Sequence, residues 1–263
     1  AVVAVHASDG VRLNTRRMWD YAGEAGISRM LLITHLDAEN IQFERLLSDI
    51  QAAFGNHCVP VFLPVGLGES CSGVVDLLTT EQAPEGVVGD FDTLRESLRE
   101  SIIECDDALM EAYLEGEEVS PEQIEATFRK AIIAGQITPI LCCAAERKLG
   151  LKETLTFLSA CTPSPQDIAP RTAAAGEGED AEPVEVPPDP DGPFCAQVFK
   201  SVMDQHVGRL VYFRVFSGTL PEGASVEIAR TGNIERLTHL QTVFGAEPTE
   251  VPEAGPGDVI CVA

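Results

Sequence analysis

Basic side chains are scarce in this sequence: its 263 residues include 18 Lys and Arg against 42 Asp and Glu, a formal net charge of −24. Nonspecific binding to DNA or bare RNA depends on clustered cations that neutralise phosphates, so this balance argues against that class of function. Long apolar runs are absent as well, and none reaches the ~20 residues of a membrane-spanning helix. We expect a cytoplasmic, monomeric protein without a membrane or DNA partner.

Ligand sets for metals and phosphates are also missing. The eight cysteines include no Cys-x-x-Cys pair, which favours buried thiols in a reducing compartment over disulfides or a metal site. No GxxxxGK[ST] loop occurs, the loop that holds nucleotide phosphates at a helix start. The first residues, AVVAV, follow no basic segment and have the pattern of a buried strand. We therefore expect no signal peptide and a chain that begins inside a domain.

The sequence does contain alternating strand and helix patterns. Apolar runs of strand length occur at AVVAV, RMLLI and PILCC. Between and after them, apolar residues recur at helical spacing over Asn14–Ala25, Phe43–Phe54 and Leu151–Leu158. Strands that are apolar throughout and alternate with helices are typical of a parallel sheet covered on both faces. The predicted fold class of residues 1–54 and 139–163 is therefore α/β.

Residues 55–138 interrupt this pattern and form a predicted inserted α+β subdomain. Short strands with Gly and Pro turns come first. A capping box at Thr93–Glu96 then predicts one helix that runs to Tyr113, and a second box at Ser120–Gln123 predicts another that stops at Gly135. Two roles stay open for the acidic outer face of the first helix, a solvated surface or a docking face. Its residues are Glu96, Glu100, Glu104, Asp107 and Glu111.

The C-terminal part of the sequence predicts a linker and an all-β domain. Residues 164–191 are rich in Ala, Gly, Glu and Pro and have almost no large apolar side chains, so we expect a flexible linker there. Short strand patterns separated by Gly and Pro turns fill residues 192–263, which predicts a small β-barrel. Within it, HVGRLVYFRVFSGTL alternates as a strand with one buried face requires.

This last stretch, His206–Gly223 in full, resembles the second domain of elongation factor G, a translational GTPase. Further segments are similar to the same family in the same order, from AVVAVHASDGVRLNTRRMW through VPVFLPVGLGESCSGVVDLL to DGPFCAQVFKSV. The resemblance covers nearly the whole chain, with the linker as the main exception. It implies the second half of a P-loop GTPase sheet with an inserted subdomain, followed by domain II, a β-barrel.

The family's guanine-recognition motif is Asn-Lys-x-Asp after a strand, and this chain has Thr34-His35-Leu36-Asp37 at that place. The resemblance implies that Asp37 accepts two hydrogen bonds from the base, with Thr34 and His35 in the positions of Asn and Lys. Thr34 lacks the amide's paired donor and acceptor, and lost contacts of this kind cost about 1–3 kcal/mol each. Two roles stay open for Asp37, guanine recognition or capping of the next helix. His35 is either a base contact or an ordinary loop residue.

The family's second guanine-contacting loop, usually Ser-Ala-x, corresponds to Ala144-Ala145-Glu146 here. Because its base contact comes from the main chain, the resemblance implies that the Ala145 backbone N–H retains the contact, while Ala144 lacks the Ser hydroxyl. In the second domain the resemblance implies a ribosomal RNA contact by Arg209 beside Gly208. The alternatives are an ordinary surface charge and a glycine that the backbone requires.

The resemblance implies a parent protein that moves tRNA and messenger RNA on the ribosome and uses GTP, GDP and Mg. Its expected partners are small-subunit RNA and the stalk protein. The phosphate-binding, switch and catalytic groups of the family precede the equivalent of Ala1, so we expect no catalytic residue, no bound cofactor and no GTP hydrolysis in this chain alone. The alternatives are a ribosome-binding paralogue that has lost guanine-nucleotide binding, and a ribosome-protection or recycling factor.

Overall fold

The computed structural model describes residues 1–175, 182–204, 208–245 and 247–263. It divides into two compact units, residues 1–162 and residues 163–263. Each unit has its own apolar core, so each is described by itself. No helix in the described ranges is both long enough and apolar enough to cross a membrane.

Six strands and six helices make up the first unit. The strands are β1 (Val2–His6), β2 (Met30–Thr34), β3 (Cys58–Pro60), β4 (Phe62–Val65), β5 (Gly73–Asp76) and β6 (Thr138–Cys142). The helices are α1 (Leu13–Glu24), α2 (Phe43–Phe54), α3 (Phe91–Ile103), α4 (Asp107–Leu114), α5 (Pro121–Ile133) and α6 (Leu151–Cys161). The predicted strands at AVVAV, RMLLI and PILCC and the helices between and after them are confirmed, with ends that differ by at most three residues.

Four of these strands form a parallel sheet in the order β1-β2-β6-β3. The two central strands are apolar because both of their faces are covered, and Leu31, Ile33, Ile140 and Leu141 are fully buried. This confirms the predicted α/β class. The sheet also includes β3, although the sequence pattern places Cys58–Pro60 in the inserted segment, because β3 pairs in parallel with β6. The antiparallel pair β4-β5 follows directly.

Helices α1 and α2 pack their apolar stripes into the core of this unit. The buried side chains of α2 recur every three or four residues and so lie on one face of the helix. They are Phe43, Leu46, Leu47, Ile50 and Phe54. The only Trp of the chain, Trp19 of α1, stacks on Phe54 with ring centroids 4.4 Å apart. The Arg29 guanidinium lies 4.1 Å from the centroid of the Trp19 ring, a cation–π geometry. Burial, and then the charge of Arg29, lowers the pKa of the neighbouring His57.

The prediction of one helix from Thr93 to Tyr113 was wrong, because two helices occupy that segment. The first, α3, begins earlier, with Asp90 as its N-cap accepting the Thr93 N–H at 3.2 Å. Helix α3 ends at Ile103, and Asp106 then caps α4 by accepting hydrogen bonds from the N–H groups of Ala108 and Leu109 at 3.1 Å. An apolar period of three and four continues across the break, so periodicity alone does not reveal it. The Asp106 carboxylate stabilises a new helix start instead.

The second predicted start in this segment is confirmed. Ser120 and Gln123 form a reciprocal capping box at the beginning of α5, in which the Ser120 hydroxyl accepts the Gln123 N–H and the Gln123 side chain accepts the Ser120 N–H. Pro121 occupies the first helical turn, where an N–H would have no partner within the helix.

The second unit is antiparallel and almost entirely β. Its strands are β7 (Arg171–Ala175), β8 (Glu182–Val186), β9 (Cys195–Asp204), β10 (Gly208–Ser217), β11 (Leu220–Pro221), β12 (Ser225–Ile228), β13 (Asn233–Arg236), β14 (Gln241–Phe244), β15 (Glu247–Glu250), β16 (Glu253–Ala254) and β17 (Val259–Val262). Five of them form a sheet in the order β15-β14-β17-β10-β9, and β11-β16 and β12-β13 form pairs. The predicted all-β class of this region is confirmed.

Strand β10 shows the predicted alternation. Phe213 and Val215 are buried in the core of the unit, while Arg214 and Phe216 on the opposite face are half-buried. The core also contains Leu220, Leu240, Ala254, Ile260 and Val262. His206, with which the recognised stretch begins, lies outside the described residues.

The segment predicted to be a linker contains regular structure. Strands β7 and β8 pair as an antiparallel ladder from Arg171↔Val186 to Ala175↔Glu182, and residues 176–181 between them lie outside the described ranges. Most of these side chains are exposed, so the pairing depends on backbone hydrogen bonds and not on an apolar face. Amino-acid composition indicates which segments can bury apolar side chains. It therefore gives no signal for strands whose side chains are mostly exposed.

The helix break yields a test. We expect Asp106→Ala to destabilise the chain by about 1 kcal/mol, because two N–H groups at the start of α4 lose their acceptor. Asp106→Asn keeps an acceptor oxygen and should cost much less. Urea unfolding followed by circular dichroism measures both variants, and equal midpoints for Asp106→Ala and the wild type would contradict the capping role.

Gly150 and Gly135 provide a matched pair, because both have φ of +73°. A Cβ on Gly150 would lie 2.8 Å from the Cys142 carbonyl oxygen and 2.9 Å from Val74, whereas a Cβ on Gly135 would meet nothing within 4 Å. We expect Gly150→Ala to be less stable than Gly135→Ala by about 1–3 kcal/mol, the usual cost of overpacking. Thermal unfolding of the two variants makes the comparison, and equal losses would show that only the backbone angle matters.

Candidate functional site

The residues singled out in the first unit lie at one edge of its parallel sheet. Strands β1, β2 and β6 run in the same direction, so their carboxyl ends meet at that edge. Thr34 ends β2, Asp37 follows three residues later, and Ala144 and Ala145 come just after β6. In open α/β sheets, ligands bind outside the carboxyl ends of the strands. The structure therefore brings the two predicted loops together.

Backbone hydrogen bonds tie these loops to each other. The Leu36 N–H donates to the Cys143 carbonyl at 3.3 Å, and the Cys143 N–H donates to the Ile33 carbonyl at 2.9 Å. A third loop joins them, since the Gly68 N–H donates to the Leu36 carbonyl at 2.8 Å. Leu36 is fully buried beneath the edge. The loop of Asp37 is therefore anchored from both sides by main-chain contacts.

Asp37 does not cap the following helix, so that alternative was wrong. Helix α2 begins at Phe43, its N-cap position is Gln42, and no side chain caps it. Asp37 is half-buried, and within the described part of the chain its carboxylate takes part in no hydrogen bond or ion pair. Burial, and after it the nearby charge of Asp37, raises the pKa of the Cys143 thiol. Asp37 is thus an open acceptor beside the loop that follows β6.

The loop after β6 closes on itself immediately. Ala144 and Leu149 exchange two backbone hydrogen bonds, of 2.9 and 3.0 Å, around a short turn. Ala144 is fully buried, so its side chain belongs to the core, whereas Ala145 is exposed. The Ala145 N–H donates to no group among the residues that the structure describes. The loop therefore presents the Ala145 N–H as an open donor at the same sheet edge as the open acceptor of Asp37.

Thr34 and His35 bond to each other. Thr34 Oγ1 and His35 Nδ1 are 2.9 Å apart, and the Thr34 hydroxyl also reaches the Val5 carbonyl at 3.4 Å. His35 has φ of +60°, a left-handed conformation that is uncommon outside glycine. Backbone conformations of this kind concentrate at binding sites. Residues 34 and 35 thus form a braced pair at the end of β2.

His6 also contributes to this edge, although the sequence pattern does not single it out. Its ring stacks on the His35 ring with centroids 4.2 Å apart and planes inclined by 22°, and its Nδ1 is 3.1 Å from the Ser8 hydroxyl. His6 pairs with Thr34 in the β1-β2 register. A signal was available in the sequence, because parallel pairing of the first two strands places their last residues side by side.

The candidate residues in the second unit open strand β10. Gly208 has φ of +90°, which supports the alternative of a glycine required by the backbone. Arg209 is exposed and pairs in register with Met203 of β9. No group of three or more His, Cys, Asp or Glu side chains suited to a metal ion occurs in the described ranges. All eight cysteines are free, and burial raises the pKa of the Cys142 thiol well above its usual value.

Comparison with known proteins finds similarity along the whole chain. Residues 193–263 match the family model described as elongation factor G domain 2. The chain is 33% identical to elongation factor G of Fervidobacterium nodosum, over 100% of this chain and 40% of that protein. It is 30% identical to an elongation factor G-like protein of Thermotoga maritima, over 98% of this chain and 39% of the relative.

A solved structure is similar over the same extent. A crystal structure of a protein from Thermus thermophilus superimposes with a TM-score of 0.80 at 30% identity, covering 100% of this chain and 38% of the other. The chain thus spans about two fifths of the length of the relatives that it matches. An α/β unit with an insert is followed by an antiparallel β unit, the whole chain is similar to elongation factor G, and residues 193–263 belong to that family's domain 2.

Proposed function

We propose that this chain is part of a GTP-dependent translocation factor of the ribosome, and that its first unit recognises the guanine base in the full-length protein. The relatives named elongation factor G support the translational role. The observation that carries the guanine site is the presence of the open Asp37 carboxylate and the open Ala145 N–H on two loops that are hydrogen-bonded to each other. Both loops are held at one sheet edge by the hydrogen bond between Leu36 and Cys143.

The order of donor and acceptor at this edge suits guanine and not adenine. Guanine presents two N–H donors, at N1 and N2, which a carboxylate accepts together, and a carbonyl O6, which a backbone N–H satisfies. Asp37 supplies the first and Ala145 the second. Adenine presents an unprotonated N1 and an amino group at these places, so it would leave the Asp37 carboxylate and the Ala145 N–H without partners. Unmet polar groups of this kind are what give a site its selectivity.

Thr34 and His35 support the base by a different route from the family motif. The Thr34 hydroxyl is already engaged within the protein, by Val5 and by His35, so we propose that it braces the loop and makes no base contact. The His35 ring, steadied by His6, offers an aromatic face beside the base. Ala144 contributes by packing, because it is fully buried.

GTP, GDP and Mg belong to the full-length protein in this proposal. The residues present fit the base, since one loop at the sheet edge carries an open acceptor and the loop bonded to it carries an open donor. The described residues include no cluster suited to Mg. Bound nucleotide and Mg supply the phosphoryl chemistry when the phosphate-binding part of the protein is present. We therefore propose that this chain positions the base and does not hydrolyse GTP by itself.

The ribosome is the proposed partner, with no membrane or DNA involved. Arg209 beside Gly208 is our candidate contact with small-subunit RNA, and the acidic outer faces of α3 and α4 are the candidate surface for the stalk protein. We further propose a cytoplasmic monomer, with residues 164–191 connecting the nucleotide-binding and β domains. A ribosome-protection or recycling factor would use the same two units.

One observation favours a second candidate, a ribosome-binding paralogue without guanine-nucleotide binding. The Thr34 hydroxyl and the His35 imidazole satisfy each other, so this loop can be stable without a ligand. The two candidates differ in one measurement, namely whether the full-length protein binds GDP in preference to ADP.

The guanine proposal predicts the effect of Asp37→Asn in the full-length protein. An amide offers one acceptor oxygen in place of the carboxylate, so GDP affinity should fall by about tenfold or more. Xanthosine diphosphate has a carbonyl where guanine has its amino group, so the amide N–H should recover part of the affinity for that nucleotide. Titration calorimetry measures both ligands, and Glu39→Gln, an exposed neighbour, is the matched control. Unchanged GDP affinity in Asp37→Asn, or equal wild-type affinity for GDP and ADP, sinks the proposal.

The histidine stack predicts a graded effect of changes at His6. His6→Ala removes the ring that steadies His35 and should weaken GDP binding by about two- to tenfold, while His6→Phe keeps an aromatic face and should bind nearly as wild type. The chemical shifts of the His35 ring protons report the stack without nucleotide. If those shifts change in His6→Ala while GDP affinity does not, His6 only packs against the loop.

A further inference from the structure

The outer face of β10 in the second unit lines a small cavity that no part of the proposed function uses. Arg214 and Phe216 point to this face, opposite the buried Phe213 and Val215. The cavity has a volume of about 40 Å³. Apart from β10, its walls are mostly apolar: Pro165, Ile168, Ala169, Pro170, Val186 and Pro188.

Two guanidinium groups meet the Phe216 ring at this cavity. The Cζ atom of Arg171 lies 5.3 Å from the ring centroid and that of Arg214 lies 6.0 Å from it. Both arginines line the cavity. Like charges brought to one ring repel each other, so the arrangement calls for a negative charge nearby.

The Arg214 Nε atom is buried and donates no hydrogen bond. Across the described ranges, neither Arg171 nor Arg214 has a carboxylate within 4.0 Å. A guanidinium stays protonated in proteins, and an unpaired buried donor is costly.

Three acidic residues adjoining this region use their carboxylates elsewhere. Asp167, between the wall residues Pro165 and Ile168, accepts the Ser164 N–H and hydroxyl through Oδ2 at 2.8 Å. Asp258 Oδ2 accepts the Gly255 N–H at 2.8 Å, although the Asp258 carbonyl accepts the N–H of Val215, the neighbour of Arg214. Asp189, which follows the wall residue Pro188, accepts the Asp191 N–H at 3.0 Å through Oδ1. All three carboxylates therefore bond to local backbone groups.

We propose that this cavity binds a carboxylate group, held between Arg171 and Arg214 over the edge of Phe216. The terminal N–H groups of a guanidinium form a fork that matches the two oxygens of a carboxylate. The volume admits a group the size of a few water molecules, which suits a planar carboxylate better than a tetrahedral phosphate. The apolar walls lower the local polarity, which strengthens an ionic contact.

Titration of the ¹⁵N-labelled chain with acetate tests this site through the Arg Nε–Hε resonances in NMR spectra. We expect the Arg214 resonance to shift with saturation and the Arg171 resonance to follow it. Arg214→Gln should weaken acetate binding by about tenfold or more. Arg171→Gln alters an exposed residue and is a second variant should Arg214→Gln fold poorly. Arg230→Gln, also exposed and away from the cavity lining, is the matched control.

Two further probes separate the possible sources of the ligand. N-acetylglutamate α-amide carries a side-chain carboxylate on a peptide-like backbone, so binding of this compound would indicate an acidic side chain of a partner. Binding of acetate without binding of this compound would indicate a small free acid. Either result supports the carboxylate site. The site would be overturned if the Arg resonances shifted linearly with acetate concentration, without saturation, and if Arg214→Gln and Arg230→Gln changed that response equally. Tighter binding of inorganic phosphate than of acetate would also overturn it.

Discussion

The parallel pairing of β2 with β6 is the contact on which the candidate site depends. The two strands are far apart in sequence, with the inserted helices between them, yet their register places Ile33 beside Cys142 and continues into the bond between Leu36 and Cys143. Two loops that begin at the ends of such strands inherit the rigidity of the sheet. The loops that carry Asp37 and Ala145 are therefore anchored to the ladder.

Much of this architecture could be predicted from the sequence, because buried parallel strands and amphipathic helices leave strong patterns. The strand at PILCC and the stripe of α2 are examples. The break between α3 and α4 could not be predicted from periodicity, since a capping Asp106 interrupts the backbone and leaves the apolar spacing intact. The β7-β8 ladder was missed for a related reason: its strands bury little apolar surface, and backbone pairing has no compositional signal.

The candidate residues of the site could be named from the sequence, but their contacts could not. Motif position alone singles out Asp37 and Ala145, yet it does not show that the Thr34 hydroxyl forms hydrogen bonds with Val5 and His35. The stacking of His6 on His35 requires knowledge of which strands pair and in which register. Such contacts across strands depend on tertiary structure, so a single sequence shows the residues and leaves their pairing open.

The surroundings of Trp19 have an optical consequence. The chain has a single indole, which lies in the first unit in contact with Phe54 and the Arg29 guanidinium, and the second unit has no Trp. Emission excited at the red edge of the absorption band therefore arises from one known place in one unit. Unfolding of the β-rich unit is silent at that wavelength, so a comparison of emission with far-ultraviolet dichroism separates the melting of one half of the molecule from that of the other.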